Sequence, residues 1–280
     1  MLMPRISNIS YSVSSAKNEF SLLDPGRDVI RFLLLRRLGQ DRGRRPVLLP
    51  MKIFTNLFTS SLGKKYLMAA TGFILFLFVL GHLAGNLQIF LGPEAINRYG
   101  HFLQSNVELI WPARIALLLM LGVHLWAATK LSAENRAARP QAYARHVSPG
   151  STYASRHMLM SGLVVLVFVI YHLLHYTIQA KAVNLTGRDF AELVDPEQRH
   201  DVFRMMVVGF SNGWVSGFYI LGIGLLCLHL SHGASSMFQS LGWRNEGYRP
   251  ALDTLARVVA VLVFLGYVSI PVAILLGYGK

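Results

Sequence analysis

Four histidines carry the chemistry of this chain. His82, His124, His172 and His229 each stand inside a long apolar run, in FLFVLGH, LLMLGVH, LVFVIYH and GLLCLH. An ionisable ring is costly in hydrocarbon, so its presence there marks a candidate functional site. Imidazole is also a common ligand of haem and metals. One such residue on each of four helices points to two bis-histidine haems. The sole cysteine, Cys227, excludes an iron–sulfur cluster, an intrachain disulfide and a C-x-x-C-H haem attachment. Any haem is therefore of the non-covalent b type.

The elements that must position these rings are membrane helices. Hydrophobic residues make up 53% of the chain and charged residues 15%, and the apolar ones are gathered into runs rather than amphipathic stripes. Five spans are expected, at about 66–90, 111–130, 157–178, 214–234 and 255–278, each near the roughly 20 residues that cross a hydrocarbon core. Arg114 intrudes on the second span and can snorkel to its interface. The expected fold is an all-α membrane protein, a five-helix bundle holding two b haems.

The net charge of +13 does not describe a nucleic-acid binder, because the basic residues line membrane segments rather than one face. Lys64 and Lys65 precede the first span; Lys130, Arg136, Arg139, Arg145 and Arg156 crowd the second connection; Arg244, Arg249 and Arg257 lie near the fourth. The alternate connections differ: residues 91–110 hold Arg98 alone, and 179–212 carry four basic against five acidic residues. The positive-inside rule then puts the N-terminus in the cytoplasm and the C-terminus outside.

That topology sorts the histidines by depth. His82 lies seventeen residues beyond Lys65 and His172 sixteen beyond Arg156, each about 25 Å from the inner edge. His124 stands six residues before Lys130 and His229 six before Ser235, each about 9 Å from that edge. His82 with His172 would hold an outer haem, and His124 with His229 an inner one. Two histidines three apart on one helix cannot flank one ring, so His172/His175 and His229/His232 each offer one ligand. Depth alone leaves the choice within each couple open; His175 is expected near the outer surface and His232 near the inner headgroups, as interfacial residues or beside haem propionates. Cationic candidates for propionates are Arg136, Arg139, Arg145 and Arg156 inside, with Arg98, Arg114 and Arg204 outside. Gly81, Gly85 and Gly122 would let a macrocycle or a neighbouring helix come close, while Gly213-x-x-x-Gly217 and Gly222-Ile-Gly224 read as helix packing.

The remainder of the chain offers little soluble chemistry. No phosphate-binding loop or dinucleotide fingerprint is present. The largest loop, Gln179–Gly213, contains the helical-looking GRDFAELVDPEQRHDVFRMM, expected to lie along the outer surface. Residues 1–50 are Ser- and Arg-rich with one short apolar run, Phe32–Leu35. They form either a basic, disordered arm drawn to anionic lipid or a start-site artefact, since MKIFTNLFTSSLGKK from Met51 reads as a natural cytoplasmic lead into the first span. Residues 51–280 form the membrane domain. A proton-coupled transporter would want mid-membrane carboxylates and an internal repeat, and the sequence offers neither on this reading.

From Ser60 onward, about 220 residues resemble the two-haem cytochrome b subunit of bacterial succinate dehydrogenase or fumarate reductase (succinate:quinone oxidoreductase, b558 type). The resemblance rests on ATGFILFLFVLGHLAGN, EAINRYGHFLQS, LGVHLWAATKL, MSGLVVLVFVIYH and LCLHLSHGASSMFQSLGW, taken in order. It implies one haem ligand from each of the first four helices, paired first with third and second with fourth, which selects His172 over His175 and His229 over His232. It implies a bacterial cytoplasmic membrane location, a flavoprotein with FAD and an iron–sulfur subunit on the cytoplasmic face, and electron passage to menaquinone near the outer haem. Glu108, in SNVELIW at the outer mouth of span two, is the candidate for proton exchange with that quinone. Some fumarate-reducing members carry an acid two positions before the fourth-helix ligand; here that position is Cys227, which favours succinate oxidation driven by the membrane potential. The same haem set would also suit the anchor of another quinone-linked enzyme, such as a hydrogenase or formate dehydrogenase.

Overall fold

The structure, a computed structural model, describes residues 55–138, 158–243 and 245–280. Residues 1–50, Met51, Arg139, Arg145, Arg156, His157 and Arg244 lie outside the described residues, and so does what the sequence led us to expect of them.

Among the described residues, seven α-helices follow one another: α1 (Ser61–Asn86), α2 (Pro93–Ser105), α3 (Val107–Ala137), α4 (Met158–His172), α5 (Val202–Ser211), α6 (Gly213–Ser240) and α7 (Arg249–Leu275). A 3-10 turn, Leu87–Leu91, prolongs α1, and a π turn, Leu173–Thr177, prolongs α4. Five of the helices are long and apolar enough to cross a membrane: Ser61–Leu91, Val107–Ala137, Met158–Thr177, Gly213–Ser240 and Arg249–Leu275. Each coincides with an expected span and most overrun it. The overruns have local causes. Ser60 caps α1 by accepting the Gly63 amide proton at 3.0 Å, and Asn212 caps α6 through the amides of Trp214 and Val215, satisfying donors that a helix start otherwise leaves orphaned.

The helices present apolar side chains outward. On α3, Leu109, Ile115, Leu118 and Leu119 are exposed, and on α7 Leu255, Val258, Val261, Leu262 and Leu265 are exposed. An apolar surface this extensive would be unstable in water; in lipid it meets its own kind, while each helix satisfies its backbone internally. This is the build of a multi-pass, all-α membrane protein. Within the bundle α1 packs on α3 and α6, and α6 on α4 and α7. A close approach is that of α4 on α6 at Gly222, where an added Cβ would stand 2.3 Å from the Phe168 ring. Gly222 is thus a packing glycine, as expected, whereas Cβ atoms at Gly213 and Gly217 would meet nothing within 4 Å; those two glycines mark no helix contact.

One end of the bundle is capped by α2, α5 and the segment before α5. Only Val202–Ser211 of the helical-looking loop forms a helix; residues 187–201 form turns closed by a bridge between Val194 and His200. Side chains outcompete the helix there: Asp195 Oδ1 accepts from the amides of Glu197 and Arg199, and Asp189 Oδ1 from that of Ala191, the competition that makes aspartate a turn former. The cap is tied to α2 by polar contacts. Buried Asn97 donates to Asp195 and Asp201 and accepts from the Phe203 amide at 2.9 Å. Arg199 bonds Asp195 at 2.7 Å and Glu94 at 2.6 Å. The Arg199 hydrogen bond holds the Glu94 carboxyl below its ordinary range. Burial pushes Asp195 up, but its hydrogen bonds from Arg199 outweigh that and hold it low as well.

At the opposite, basic end, Lys64 of α1 is turned toward α3. It is buried and ion-paired with Glu134 of α3, which also accepts from Ser61.

Candidate functional site

The four histidines meet in two pairs, each drawn from different helices. His82 of α1 and His172 of α4 stand with ring centroids 5.7 Å apart at 76°. His124 of α3 and His229 of α6 stand 6.5 Å apart at 69°. This is the pairing that depth led us to expect, with the first couple toward the capped end and the second toward the basic end.

What surrounds each ring decides which nitrogen is free. Thr71 Oγ1 donates its own proton to the Leu67 carbonyl at 2.6 Å and so meets His124 Nδ1, 3.2 Å away, as an acceptor. The Met68 carbonyl shares the same Nδ1 at 3.2 Å. Ser161 repeats the arrangement on α4, donating to the Met158 carbonyl at 3.0 Å and facing His229 Nδ1 at 3.2 Å. Both surroundings assign the proton to Nδ1 and leave the Nε2 lone pair free, the form in which imidazole ligates a metal with its other nitrogen held by an outer partner. Glycines make room for the backing: Cβ atoms at Gly72 and Gly162 would stand 3.1 Å from His124 Cε1 and 3.4 Å from His229 Cε1.

The outer pair is backed by aromatics. His172 Nδ1 lies 3.4 Å from the Tyr219 hydroxyl, and His82 stacks on Phe78 at 5.3 Å with Tyr267 beyond it at 6.3 Å. Gly81 and Gly122, one and two residues before His82 and His124, face open space, so neither serves a helix contact. Gly85 does, packing on Tyr99.

Could these pairs hold a metal? Among the described residues, no three or more His, Cys, Asp or Glu side chains gather as an ion site. Each pair offers two ligands only, which suits a metal that brings its own equatorial ring. Two axial imidazoles at about 2.0 Å from a metal, with roughly 1.1 Å more from nitrogen to ring centre, have centroids about 6.2 Å apart. The two observed separations bracket that figure, so the residues present fit bis-histidine haem.

Other expectations fare differently. His175 is fully buried, with Nδ1 3.0 Å from the Tyr219 hydroxyl; it is not interfacial, because the π turn swings it inward under Phe190. His232 is half-buried. Arg114 lays its guanidinium over Trp111 at 5.3 Å, and Arg98, Arg204 and Glu108 are exposed. Cys227 is buried in the core two residues before His229.

Sequence reading passed over Thr71, Ser161, Gly72, Gly162 and Tyr219, although a signal existed. Thr71-Gly72 precedes His82 by the interval at which Ser161-Gly162 precedes His172, eleven residues in both cases, which is three helical turns and hence one face. The pairs α1–α3 and α4–α6 thus repeat a unit: a hydroxyl and a glycine on the first helix, a histidine further along it, and a second histidine on the next helix that the hydroxyl holds. The expectation of no internal repeat is corrected accordingly.

Compared with known proteins, the chain matches no family model, no curated protein and no solved structure.

Proposed function

We propose that this chain is the cytochrome b membrane anchor of a succinate dehydrogenase or fumarate reductase, passing electrons between cytoplasmic flavoprotein and iron–sulfur subunits and membrane menaquinone. The observation that carries the redox part is the doubled pair of histidines: each pair spans two helices, the two centroid separations lie either side of that expected for a bis-axial pair, and the inner rings are held in the ligating tautomer by Thr71 and Ser161. The choice of partner enzyme rests on the ordered segments that resemble that family.

His82 and His172 would ligate the outer haem b, and His124 and His229 the inner. The haems supply one-electron redox centres when bound. The protein's own part is to fix ring orientation, to exclude water from the pairs, and to keep the two levels within tunnelling reach. Thr71 and Ser161 hold the inner rings by Nδ1. The basic end, with Lys65, Lys130 and Arg136, suits docking of the iron–sulfur subunit. Arg98, Arg114 and Arg156 are the propionate candidates, and Glu108, exposed in the first turn of α3, can exchange protons with water beside a quinone. A bacterial cytoplasmic membrane, with the basic end inside, completes the reading.

A transporter also uses repeats, but the carboxylates of the described spanning helices, Glu108, Glu134 and Asp253, all lie within five residues of a helix end, leaving no mid-membrane acid to carry a proton. The test is a pyridine haemochrome assay on detergent-purified protein. Two b haems per chain are expected, and none in folded protein would refute the reading. Co-purification of a covalent flavoprotein separates this anchor from that of a hydrogenase or formate dehydrogenase.

A further inference from the structure

Two hydroxyls hold the inner rings by one device. Each gives its own proton to a backbone carbonyl and is left as an acceptor for imidazole: Thr71 gives to Leu67, and Ser161 to Met158. The outer ring His172 meets a hydroxyl of another kind. Tyr219 carries its oxygen at the far end of a ring, and among the described residues its hydrogen-bond partners are two imidazoles, His172 Nδ1 at 3.4 Å and His175 Nδ1 at 3.0 Å. Neither is a carbonyl, so one of the two rings must take the proton.

A phenol has one proton to give. If it goes to His172 Nδ1, the neutral His172 ring carries its own proton on Nε2 and cannot ligate through that nitrogen. If it goes to His175 Nδ1, the Tyr219 oxygen is left to accept from His172 Nδ1–H, and His172 Nε2 is free. The shorter distance is the one to His175. That ring is fully buried and held by its neighbours, with Tyr176 at 4.1 Å and Phe190 at 5.4 Å. Its own proton then stands on Nε2, a buried atom without a partner. Such an atom is costly, and an apolar side chain would fill the space without it. What the imidazole offers in return is the acceptor at Nδ1.

We propose, on the two-haem reading of the pairs, that His175 is a positioning residue of the outer site: it takes the Tyr219 proton and so lets Tyr219 hold His172 in the tautomer that ligates through Nε2. His175 plays for Tyr219 the part that the Leu67 and Met158 carbonyls play for Thr71 and Ser161.

The test is the equilibrium partition of haem between the detergent-solubilised protein and excess apomyoglobin, with the spectrum of His172→Ala marking protein that lacks the outer haem. His175→Leu leaves the Tyr219 proton no acceptor but His172 Nδ1, and ligation by His172 then strands it. The outer haem should be held about tenfold more weakly, and the inner one as in the wild type. His175→Phe, a ring without nitrogen, should do the same and serves if His175→Leu does not fold. His175→Asn returns an acceptor oxygen near the place of Nδ1 and should bind as the wild type does. Tyr219→Phe added to His175→Leu removes the stranded proton and should restore the affinity of Tyr219→Phe alone. A packing role predicts the reverse order, with the smaller Asn worse than Leu and the double variant weakest. Wild-type outer affinity in both His175→Leu and His175→Phe, or that reverse order, would overturn the proposal. Wild-type protein that is folded but haem-free would overturn the two-haem reading itself, and this proposal with it.

Discussion

Removing the hydroxyls behind the inner pair should shift its redox midpoint, unequally. Ser161 is the acceptor that holds His229 Nδ1, at 3.2 Å, whereas His124 Nδ1 is shared by Thr71 Oγ1 and the Met68 carbonyl, both at 3.2 Å. An acceptor on Nδ1–H makes the ligating nitrogen more basic and so favours the oxidised metal; deleting it should raise the midpoint. A net hydrogen bond is worth about 0.5–1.5 kcal/mol, and for a one-electron couple 1.4 kcal/mol corresponds to about 59 mV. Ser161→Ala should therefore raise the inner midpoint by roughly 20–60 mV. Thr71→Val leaves the Met68 carbonyl in place and should give less than half of that, and Thr71→Ser should match the wild type. Potentiometric titration of the reduced-minus-oxidised spectrum reads both haems in one sample, with the outer one as internal control. An unchanged or lowered inner midpoint in Ser161→Ala, or a larger shift in Thr71→Val, would refute the argument that these hydroxyls act as acceptors.

Further outcomes follow from the same geometry. His82→Ala and His172→Ala should remove the same haem, and His124→Ala and His229→Ala the other, so that haem counts fall to one in a double variant within a pair and to zero in a double variant across pairs. Gly222→Ala, whose Cβ would stand 2.3 Å from Phe168, should cost about 1–3 kcal/mol by overpacking and lower the thermal midpoint, while Gly81→Ala, facing open space, should not. At the cap, Glu94 and Asp195 have carboxyls held below their ordinary range. Their contribution is therefore complete above the unfolded carboxylate range near pH 4 and is lost as pH falls through the lowered values. The hydrogen-exchange protection factor of the Phe203 amide, which Asn97 holds, should be high at neutral pH and fall below about pH 4; in Arg199→Gln it should already be low at neutral pH.

The spans and the pairing were legible because they depend on quantities a sequence carries directly: runs of apolar residues, and counts from a charged edge at a fixed rise per residue. The Lys64 ion pair was not legible, because charge near a span says nothing about Glu134, seventy residues away, folding back onto it. The loop before α5 looked helical because its apolar spacing did not register that Asp195 and Asp189 would take up backbone amides. His175 was misplaced for a subtler reason. A rise of 1.5 Å per residue assumes a regular α-helix, and the π turn after His172 departs from one, turning a ring expected at the surface into the core. Thr71 and Ser161 were readable in principle, but only once each hydroxyl was seen to face the histidine of the following helix.

The repeat explains why the pairs form at matched depths. Both α1 and α4 run from the basic end to the capped end and both α3 and α6 return, so the halves are related by an axis along the bundle, which preserves height. Equivalent helices then face each other at equal depth, as a bis-axial site requires. The symmetry breaks at one position. Tyr219 stands ten residues before His229, and the position ten before His124 is Arg114, an exposed side chain lying over Trp111 that cannot back a ring in the core. The repeat therefore gives His82 no counterpart of Tyr219. Helix α7 compensates with Tyr267, but that hydroxyl donates to the Val79 carbonyl at 2.8 Å and has no second histidine to hand a proton to. Among the described residues, the α4–α6 half thus links a paired histidine through one hydroxyl to a second buried histidine, and the α1–α3 half does not.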